Sequence, residues 1–404
     1  MADYQILIVG GGAAGIATAT SLHKRDHTLK IAVVEPSDTH YYQPGWTMVG
    51  AGHFKKEETA RPTARVMPPY VTHIKGAVAT FQPNVNTVTL ADGKVVSYDY
   101  LVVAAGLKLD WAAIEGLEAA LGKNGVTSNY RYDLAPYTWE LVQKMRGREA
   151  IFTQPPMPIK CAGAPQKAMY LSCSSWVKAG KIKDINVSFC NAGPVLFGCA
   201  PYVPPLMKYV ESYGIKLDFG HNLVKVDGPN QTATFKVTKD GAESQMIERK
   251  FDMLHVCPPQ RAPDFIKNSP LANEAGWMAV NQETLQSTVA SNIFGLGDVT
   301  STPNAKTVAA ARKQAPIVAE NLIAHMKRAT LPRAYDGYGS CPLTVEHGKI
   351  ILAEFGYGGK VMPTFPWDST RPRRSAWFLK KSILPWVYWN AMLKGREWLV
   401  KTTS

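Results

Sequence analysis

Short apolar runs bounded by glycine or polar clusters alternate with helix-period segments along most of the chain. Tyr4–Val9 (YQILIV), a glycine cluster, a small-residue helix to about His23 and a second run at Lys30–Glu35 (KIAVVE) predict a β-α-β unit. His73–Thr80 and Thr87–Leu90 read as strands flanking a turn. Asp92-Gly93 marks another turn, and Tyr98–Ala104 (YDYLVVA) reads as a buried strand running into Gly106. A second block predicts a helix at Leu134–Met145, a strand at Glu149–Gln154 and a helix at Ala164–Lys178. It continues with a strand at Ile185–Cys190 and a helix at Pro201–Tyr213 entered through prolines. Strands at Asn222–Val226, Thr232–Lys239, Gln245–Lys250 and Met253–Val256 follow, then a strand at Asn292–Leu296 and a long helix at Ala305–Met326. Beyond Leu331 the pattern predicts two hairpin-like stretches and two short amphipathic helices, Ser375–Leu384 and Trp386–Leu399, separated by Pro385.

The first β-α-β unit carries a dinucleotide fingerprint. Gly10, Gly12 and Gly15 satisfy G-x-G-x-x-G between strand and helix, with Ala13 and Ala14 inside it, and Glu35 follows twenty residues after Gly15. Gly10 makes the tight turn, Gly12 lets backbone approach a pyrophosphate, Gly15 permits close helix–strand packing, and Glu35 accepts from a ribose hydroxyl. The helix N-terminus adds free N–H groups and a positive dipole end. A Gly-rich turn without a ligand is the plain alternative, and the strand, helix and acid in register argue against it. At 404 residues the chain exceeds one core, which stops growing at roughly 250–300 residues.

The fingerprint is not repeated. After the strand at Glu149–Gln154 comes Pro155-Pro156-Met157-Pro158-Ile159-Lys160-Cys161, with prolines where glycines would hold a pyrophosphate. Proline removes the N–H donors such a site needs. The next strand ends in Asn191-Ala192-Gly193-Pro194, without an acid for a ribose. Two cysteines stand in reactive contexts. Cys161 follows a strand, precedes a helix and is flanked by Lys160 and Lys167, which favours thiolate. Cys341 sits in the Gly/Pro-flanked loop Gly339-Ser340-Cys341-Pro342, which reads as an exposed and rigid context. Cys173, Cys190 and Cys199 fall in helix, strand or apolar context and read as packing residues, and Cys257 ends a strand. No Cys/His spacing suggests zinc.

Three landmarks in order resemble the disulfide-reductase-like flavoproteins: the fingerprint, Gly106 after the YDYLVVA strand, and the strand Ile293-Phe294-Gly295-Leu296-Gly297-Asp298. That resemblance implies an α/β fold of two Rossmann-like dinucleotide-binding-fold domains, with FAD rather than NAD in the first. The KCAGAPQK loop, Tyr41-Tyr42-Gln43-Pro44, Trp46–Gly52, the GLGD strand, Tyr335–Leu343 (YDGYGSCPL) and Leu384–Leu393 (LPWVYWNAML) resemble type II sulfide:quinone oxidoreductases. The resemblance implies that Cys161 forms a persulfide and an adduct with the flavin, and that Cys341 receives sulfide sulfur and passes it on. It implies FAD contacts at Ala13, Ala14, Glu35, Gln43, Val78, Asp298 and Lys306, and electron transfer to a quinone. Sulfane sulfur would leave on a thiol, sulfite or cyanide. The corresponding division is an FAD-binding domain in residues 1–115 and 276–330, a second Rossmann-like domain in 116–275, and a C-terminal quinone and membrane region in 331–404.

Charge sharpens the last segment. The formal net charge is +13, and from Arg371 onward there are eight Lys/Arg against Glu397 alone. Trp377, Trp386, Trp389 and Trp398 lie there too, with Trp386, Trp389 and Leu393 spaced for one helix face. Basic and Trp-rich composition predicts an amphipathic membrane-associating tail on an anionic surface. Nucleic acid is the rival, and no recognition motif supports it. No run reaches the ~18 apolar residues of a spanning helix. The start Met1-Ala2-Asp3-Tyr4 lacks basic and apolar signal regions, so a monotopic protein on the cytoplasmic face is expected, with homo-oligomerisation left open. Phe355, Tyr357, Phe365, Trp377 and Phe378 are the candidate quinone residues. The competing readings are an NADH:quinone oxidoreductase of the same fold, a sulfide dehydrogenase passing electrons to a cytochrome, and a flavin-binding protein without turnover.

Overall fold

The computed structural model of the chain describes residues 2–145, 148–238, 243–398 and 400. The first sheet orders Thr72–Ile74, Ile31–Val34, Tyr4–Val9 and Val95–Val103 as parallel neighbours. The long strand Val95–Val103 serves two partners. Its first half pairs antiparallel with Thr87–Leu90, and its last residues pair parallel with Ile293–Gly295. The return strand therefore ends beside the fingerprint turn and carries Gly297 and Asp298 to it. The predicted strand His73–Thr80 is in fact two. Thr72–Ile74 pairs with Ile31–Val34, and Val78–Gln82 pairs antiparallel with Thr87–Leu90, with Gly76 in the break between them.

The fingerprint helix Ala13–Arg25 buries Ala14–Leu22 and packs against the helix Val308–Met326. Alanines at 17 and 19 let the two backbones approach, while Ile16 and Leu22 are fully buried at ~1.5–3 kcal/mol each. The long helix starts three residues later than its pattern suggests because Thr307 caps it, its side chain accepting from the Ala310 N–H.

A second, wholly parallel sheet orders Val126–Thr127, Met253–His255, Glu149–Gln154, Asn186–Asn191 and Lys216–Phe219. Its edge strands Val126–Thr127 and Lys216–Phe219 are too short or too polar to stand out in the pattern. His221–Asp227, Thr232–Val237 and Gln245–Lys250 form a separate antiparallel sheet. The predicted end at Lys239 lies outside the described residues.

The tail departs most from its pattern. It holds one hairpin, Gly339–Glu346 with Lys349–Phe355, rather than two. Pro385 does not separate two helices. Helical backbone runs from Arg374–Phe378 through a wide π turn at Leu379–Ile383 into Leu384–Asn390. Proline is tolerated because it lies in the first turn of the last segment, where its missing N–H costs little. Nor do Trp386, Trp389 and Leu393 share a face. Trp386 is 45% exposed, Trp389 5%, and Leu393 lies beyond the helix end, fully buried. The predicted end at Leu399 lies outside the described residues.

Tyr388, Trp389, Met392 and Leu393 pack against the fingerprint and long helices. Glu397 fastens this arrangement. It accepts from Ser21 Oγ at 2.6 Å, Lys24 Nζ at 2.9 Å and Arg25 Nη1 at 2.7 Å, while Arg25 also reaches Glu320 at 2.6 Å. Charged hydrogen bonds of this kind contribute ~1.5–3 kcal/mol. Glu397→Gln is expected to lower the melting temperature by a few degrees and to speed amide exchange in residues 374–398 before the two sheets. Unchanged exchange there would show that the apolar packing holds the tail alone.

Candidate functional site

The fingerprint turn forms an open cradle. Gly10 has φ +103°, and a Cβ there would lie 2.6 Å from the Ala104 carbonyl oxygen. A Cβ on Gly15 would lie 1.8 Å from the Gly10 oxygen, so this glycine is a packing requirement and not a wall residue. A Cβ on Gly12 would meet nothing within 4 Å, which leaves that side free for a ligand. Glu35 Oε2 accepts from Gly11 N–H at 2.7 Å and Oε1 from Ser37 N–H at 2.8 Å, fixing the carboxylate at the end of its strand.

A cavity of about 290 Å³ runs along this cradle, lined by Gly10, Gly12, Ala13, Ala14, Glu35, Gln43, Gly106 and Asp298. Lys160, Gln43, Asp298, Thr307 and Val308 also line a second cavity of about 640 Å³, which Lys306 joins. The wall residues fit a long anionic dinucleotide: an open glycine turn at a helix N-terminus, an acid for a ribose, and buried Asp298 and Lys306 further along. Burial raises the Asp298 carboxyl against the pull of Lys306 and Lys160. Burial lowers Lys306 to about 8 although Asp298 opposes it. Lys306 Nζ donates to the Thr300 carbonyl at 2.8 Å.

Val78 is the exception among the expected contacts. It is buried in the antiparallel extension of the first sheet, opposite Leu90, and lines neither cavity. His40, which nothing in the pattern singles out, bridges the cradle and the tail. Its Nδ1 lies 3.1 Å from the Gly11 carbonyl and its Nε2 lies 2.6 Å from Tyr388 Oη. Burial lowers it to about 4, so it is neutral.

Cys161 lines the larger cavity, and the buried Cys341 meets it from behind, between the lining residues Ser340 and Pro342. The sulfurs of Cys161 and Cys341 are 3.6 Å apart although 180 residues separate them in sequence. The proline loop that follows Glu149–Gln154 crosses to the first sheet, and Cys161 N–H donates to the Lys306 carbonyl at 2.9 Å. Cys161 has φ +49°, an uncommon conformation for a residue with a Cβ and one that costs of order 1–3 kcal/mol. Cys341 comes from the first strand of the tail hairpin and is buried, not held in an exposed loop as its flanking residues suggest. Gly163 admits it, since a Cβ at 163 would lie 2.5 Å from Cys341 Sγ.

The electrostatics are asymmetric. A hydrogen bond from Cys341 and the charge of Lys167, whose Nζ is 3.0 Å from Cys161 Sγ, hold the Cys161 thiol well below its ordinary value despite burial. Its hydrogen bond to Cys161 and burial push Cys341 well up. The two shifts run in opposite directions and favour thiolate on Cys161 over Cys341. Burial alone would lower Lys167, but the adjoining cysteine sulfurs, Cys161 first, outweigh it and raise it. Lys380, from the π turn of the tail, lies in the same wall and donates to the Pro44 carbonyl at 2.9 Å. Burial and then Lys167 lower it to about 7.

Residues 4–142 match the family described as pyridine nucleotide-disulphide oxidoreductase. The chain is 43% identical over 403 residues to the mitochondrial sulfide:quinone oxidoreductase of Dictyostelium discoideum, covering 99% of this chain and 88% of that one. It is 39% identical over 392 residues to the Mus musculus protein of the same name, covering 97% and 87%. The chain belongs to the sulfide:quinone oxidoreductase family. The sulfide:quinone oxidoreductase of Aquifex aeolicus shares the fold, with a TM-score of 0.77 at 21% identity over 96% of this chain and 92% of that one.

Of the aromatic residues nominated for a quinone, Phe365 lines the larger cavity. Phe355 packs into the core of the second sheet, Tyr357 hydrogen-bonds the Gln282 carbonyl, Trp377 stacks edgewise on His53, and Phe378 faces outward. Tyr338, Leu384, Trp386 and Trp398 line the cavity instead, from positions whose periodicity does not distinguish them. Cys257 is buried and held up to about 12 by that burial, and Cys173, Cys190 and Cys199 are also buried and raised.

Lys167→Met keeps the volume and removes the charge beside Cys161. At pH 6, alkylation of Cys161 by iodoacetamide is expected to be roughly tenfold slower in this variant, with its pH midpoint moved upward. An unchanged midpoint would mean that Cys341 alone sustains the thiolate.

Proposed function

We propose that the chain oxidises sulfide at Cys161 and Cys341 and passes two electrons through FAD to a quinone. The observation that carries this reading is the pair of sulfurs 3.6 Å apart, with Lys167 beside Cys161 and Cys161 facing a cavity that continues into the fingerprint cradle. The distance is too long for an S–S bond of ~2.05 Å, and two such bonds at one intervening sulfur span ~3.3 Å. A bridge with or without an added sulfur is therefore within reach of small side-chain movements.

Hydrosulfide attacks such a bridge at the Cys341 sulfur. A new S–S bond forms there, and the Cys161 sulfur leaves as an anion that Lys167 is placed to stabilise. Cys341 keeps the sulfane sulfur, which a nucleophile such as a thiol, sulfite or cyanide then removes. Bound FAD supplies the two-electron sink between sulfur and quinone. Glu35 and the backbone at Ala13 and Ala14 hold its nucleotide portion, while Gln43, Asp298 and Lys306 stand nearer the sulfur. Lys160, Lys167 and Lys380 make the cavity attractive to anionic sulfur.

In this reading residues 1–115 and 276–330 form the FAD-binding unit, 116–275 a second unit and 331–404 the quinone and membrane region. The second sheet holds no nicotinamide. Its first loop is spent on carrying Cys161 to Lys306, and Asn191 Oδ1 accepts from Gly193 N–H at 2.9 Å where a ribose acid would stand. Phe378, Ile383, Trp386 and Trp398 are exposed, and Trp386 stacks on Trp398 at 5.6 Å. With Arg374, Lys381, Lys394 and Arg396 nearby in sequence, they form the surface that rests on an anionic membrane, where the cavity admits a quinone. No helix among the described residues is long and apolar enough to cross a membrane.

Anaerobic sulfide is expected to bleach the flavin and decylubiquinone to restore it, while NADH leaves the spectrum unchanged. Cys161→Ser should retain FAD and lose the sulfide response, because no Cys161–Cys341 bridge is left for hydrosulfide to attack and no Cys161 thiolate can leave. Bleaching by NADH would favour the NADH:quinone reading.

A further inference from the structure

Quinone reduction consumes two electrons and two protons. Anionic reduced flavin carries both electrons and one proton, so one more proton must come from the chain or from water that enters the cavity. Among the described residues only Asp298 and Glu354 are acids in the wall of the larger cavity, and Asp298 belongs also to the FAD cradle. Glu354 lies at the other end, on the hairpin strand Lys349–Phe355, directly across from Ser340 and next to the strand position of Cys341.

Glu354 is 3% exposed. Its Oε1 accepts from Tyr338 Oη at 2.6 Å and from Thr364 Oγ1 at 2.5 Å, and its Oε2 accepts from Thr364 N–H at 3.0 Å. Tyr338 and Thr364 line the same cavity, and Thr364 is exposed. Tyr338 is itself held in place. Its N–H donates to Asp336 Oδ1 at 3.1 Å, and Lys313, paired with Asp336 at 2.5 Å, sits over its ring at 5.1 Å. A carboxylate buried beside an apolar cavity costs several kcal/mol unless it is fully bonded. Three donors on two oxygens suit an acceptor-only carboxylate, and they leave it in hydrogen-bonded contact with both Tyr338 at the cavity and Thr364 at the surface.

We propose that Tyr338 and Glu354 form a proton relay from solvent, at the Thr364 hydroxyl, to the quinone oxygen. The proposal rests on the quinone reading of the cavity. As the flavin gives up its electron pair and one proton, the Tyr338 O–H bond breaks and a quinol O–H bond forms. Tyr338 is re-protonated by Glu354 in its acid form, and Glu354 takes its proton from water through Thr364. The sum is quinone plus anionic reduced flavin plus one proton giving quinol plus oxidised flavin. Burial and the Glu354 charge raise the Tyr338 hydroxyl, while Thr364 and Arg312, which also line the cavity, pull it down. Tyr338 is the catalytic member, and Glu354 acts through it.

The test compares Glu354→Gln and Tyr338→Phe with the parent holoenzyme in stopped flow, one half-reaction at a time. Bleaching by sulfide should be unchanged. Re-oxidation by decylubiquinone should slow at least tenfold and lose its pH dependence and solvent deuterium isotope effect. Re-oxidation by ferricyanide, which takes electrons without protons, should stay at the parent rate, and decylubiquinone should quench tryptophan fluorescence at the same concentration. Quinone re-oxidation within twofold of the parent in both variants overturns the relay, as does an equal slowing with ferricyanide or a loss of quinone binding. A parent enzyme that sulfide reduces but decylubiquinone does not re-oxidise would instead refute the quinone reading.

Discussion

The structure depends on one clasp: the backbone N–H of Cys161 bound to the carbonyl of Lys306. Cys161 lies in the loop after the Glu149–Gln154 strand of the second sheet, and Lys306 directly before the Thr307 cap of the long helix on the first. Their contact draws a proline-rich loop across the gap and sets Cys161 in a left-handed conformation beside the cradle. The tail hairpin then brings Cys341 to the same point from the opposite direction. Three separate parts of the chain thus converge on two sulfur atoms, and strain at one residue is repaid by the contacts around it.

The same convergence explains the charge. Lys160, Lys167, Lys306 and Lys380 all reach the larger cavity, and each is desolvated there. Four lysines at one cavity repel one another and are costly to bury charged, and burial accordingly lowers Lys160, Lys306 and Lys380. The cost is sensible only where negative charge is expected: a thiolate, an anionic sulfur donor and a dinucleotide. The tail contributes Lys380 and also reaches the cradle through the Tyr388–His40 bond, so one segment touches both the larger cavity and the cradle.

Much of this was legible in the sequence, for reasons that differ by residue. The cradle could be read because glycine is needed at fixed places, and the Cys161 loop because prolines stand where glycines are otherwise required. The family resemblance supplied the pairing of Cys161 with Cys341, which no local pattern contains. What stayed hidden depends on packing between distant segments. Val78 has nothing in its neighbourhood to show that it faces a core. Pro385 looks like a break until the π turn before it is seen. His40 meets Tyr388 from 348 residues away, and Tyr338 and Glu354 meet only because the hairpin folds back, contacts that periodicity cannot show.

The central claim is that the two cysteines act as one unit in handling sulfur. Peptide mass spectrometry of the holoenzyme, treated anaerobically with limiting sulfide and digested without reductant, tests it most directly. The account predicts a peptide joining Cys161 to Cys341, in part heavier by one sulfur atom, that disappears on adding sulfite. Added sulfur found on Cys257 or another cysteine, with Cys161 and Cys341 never joined, would contradict it.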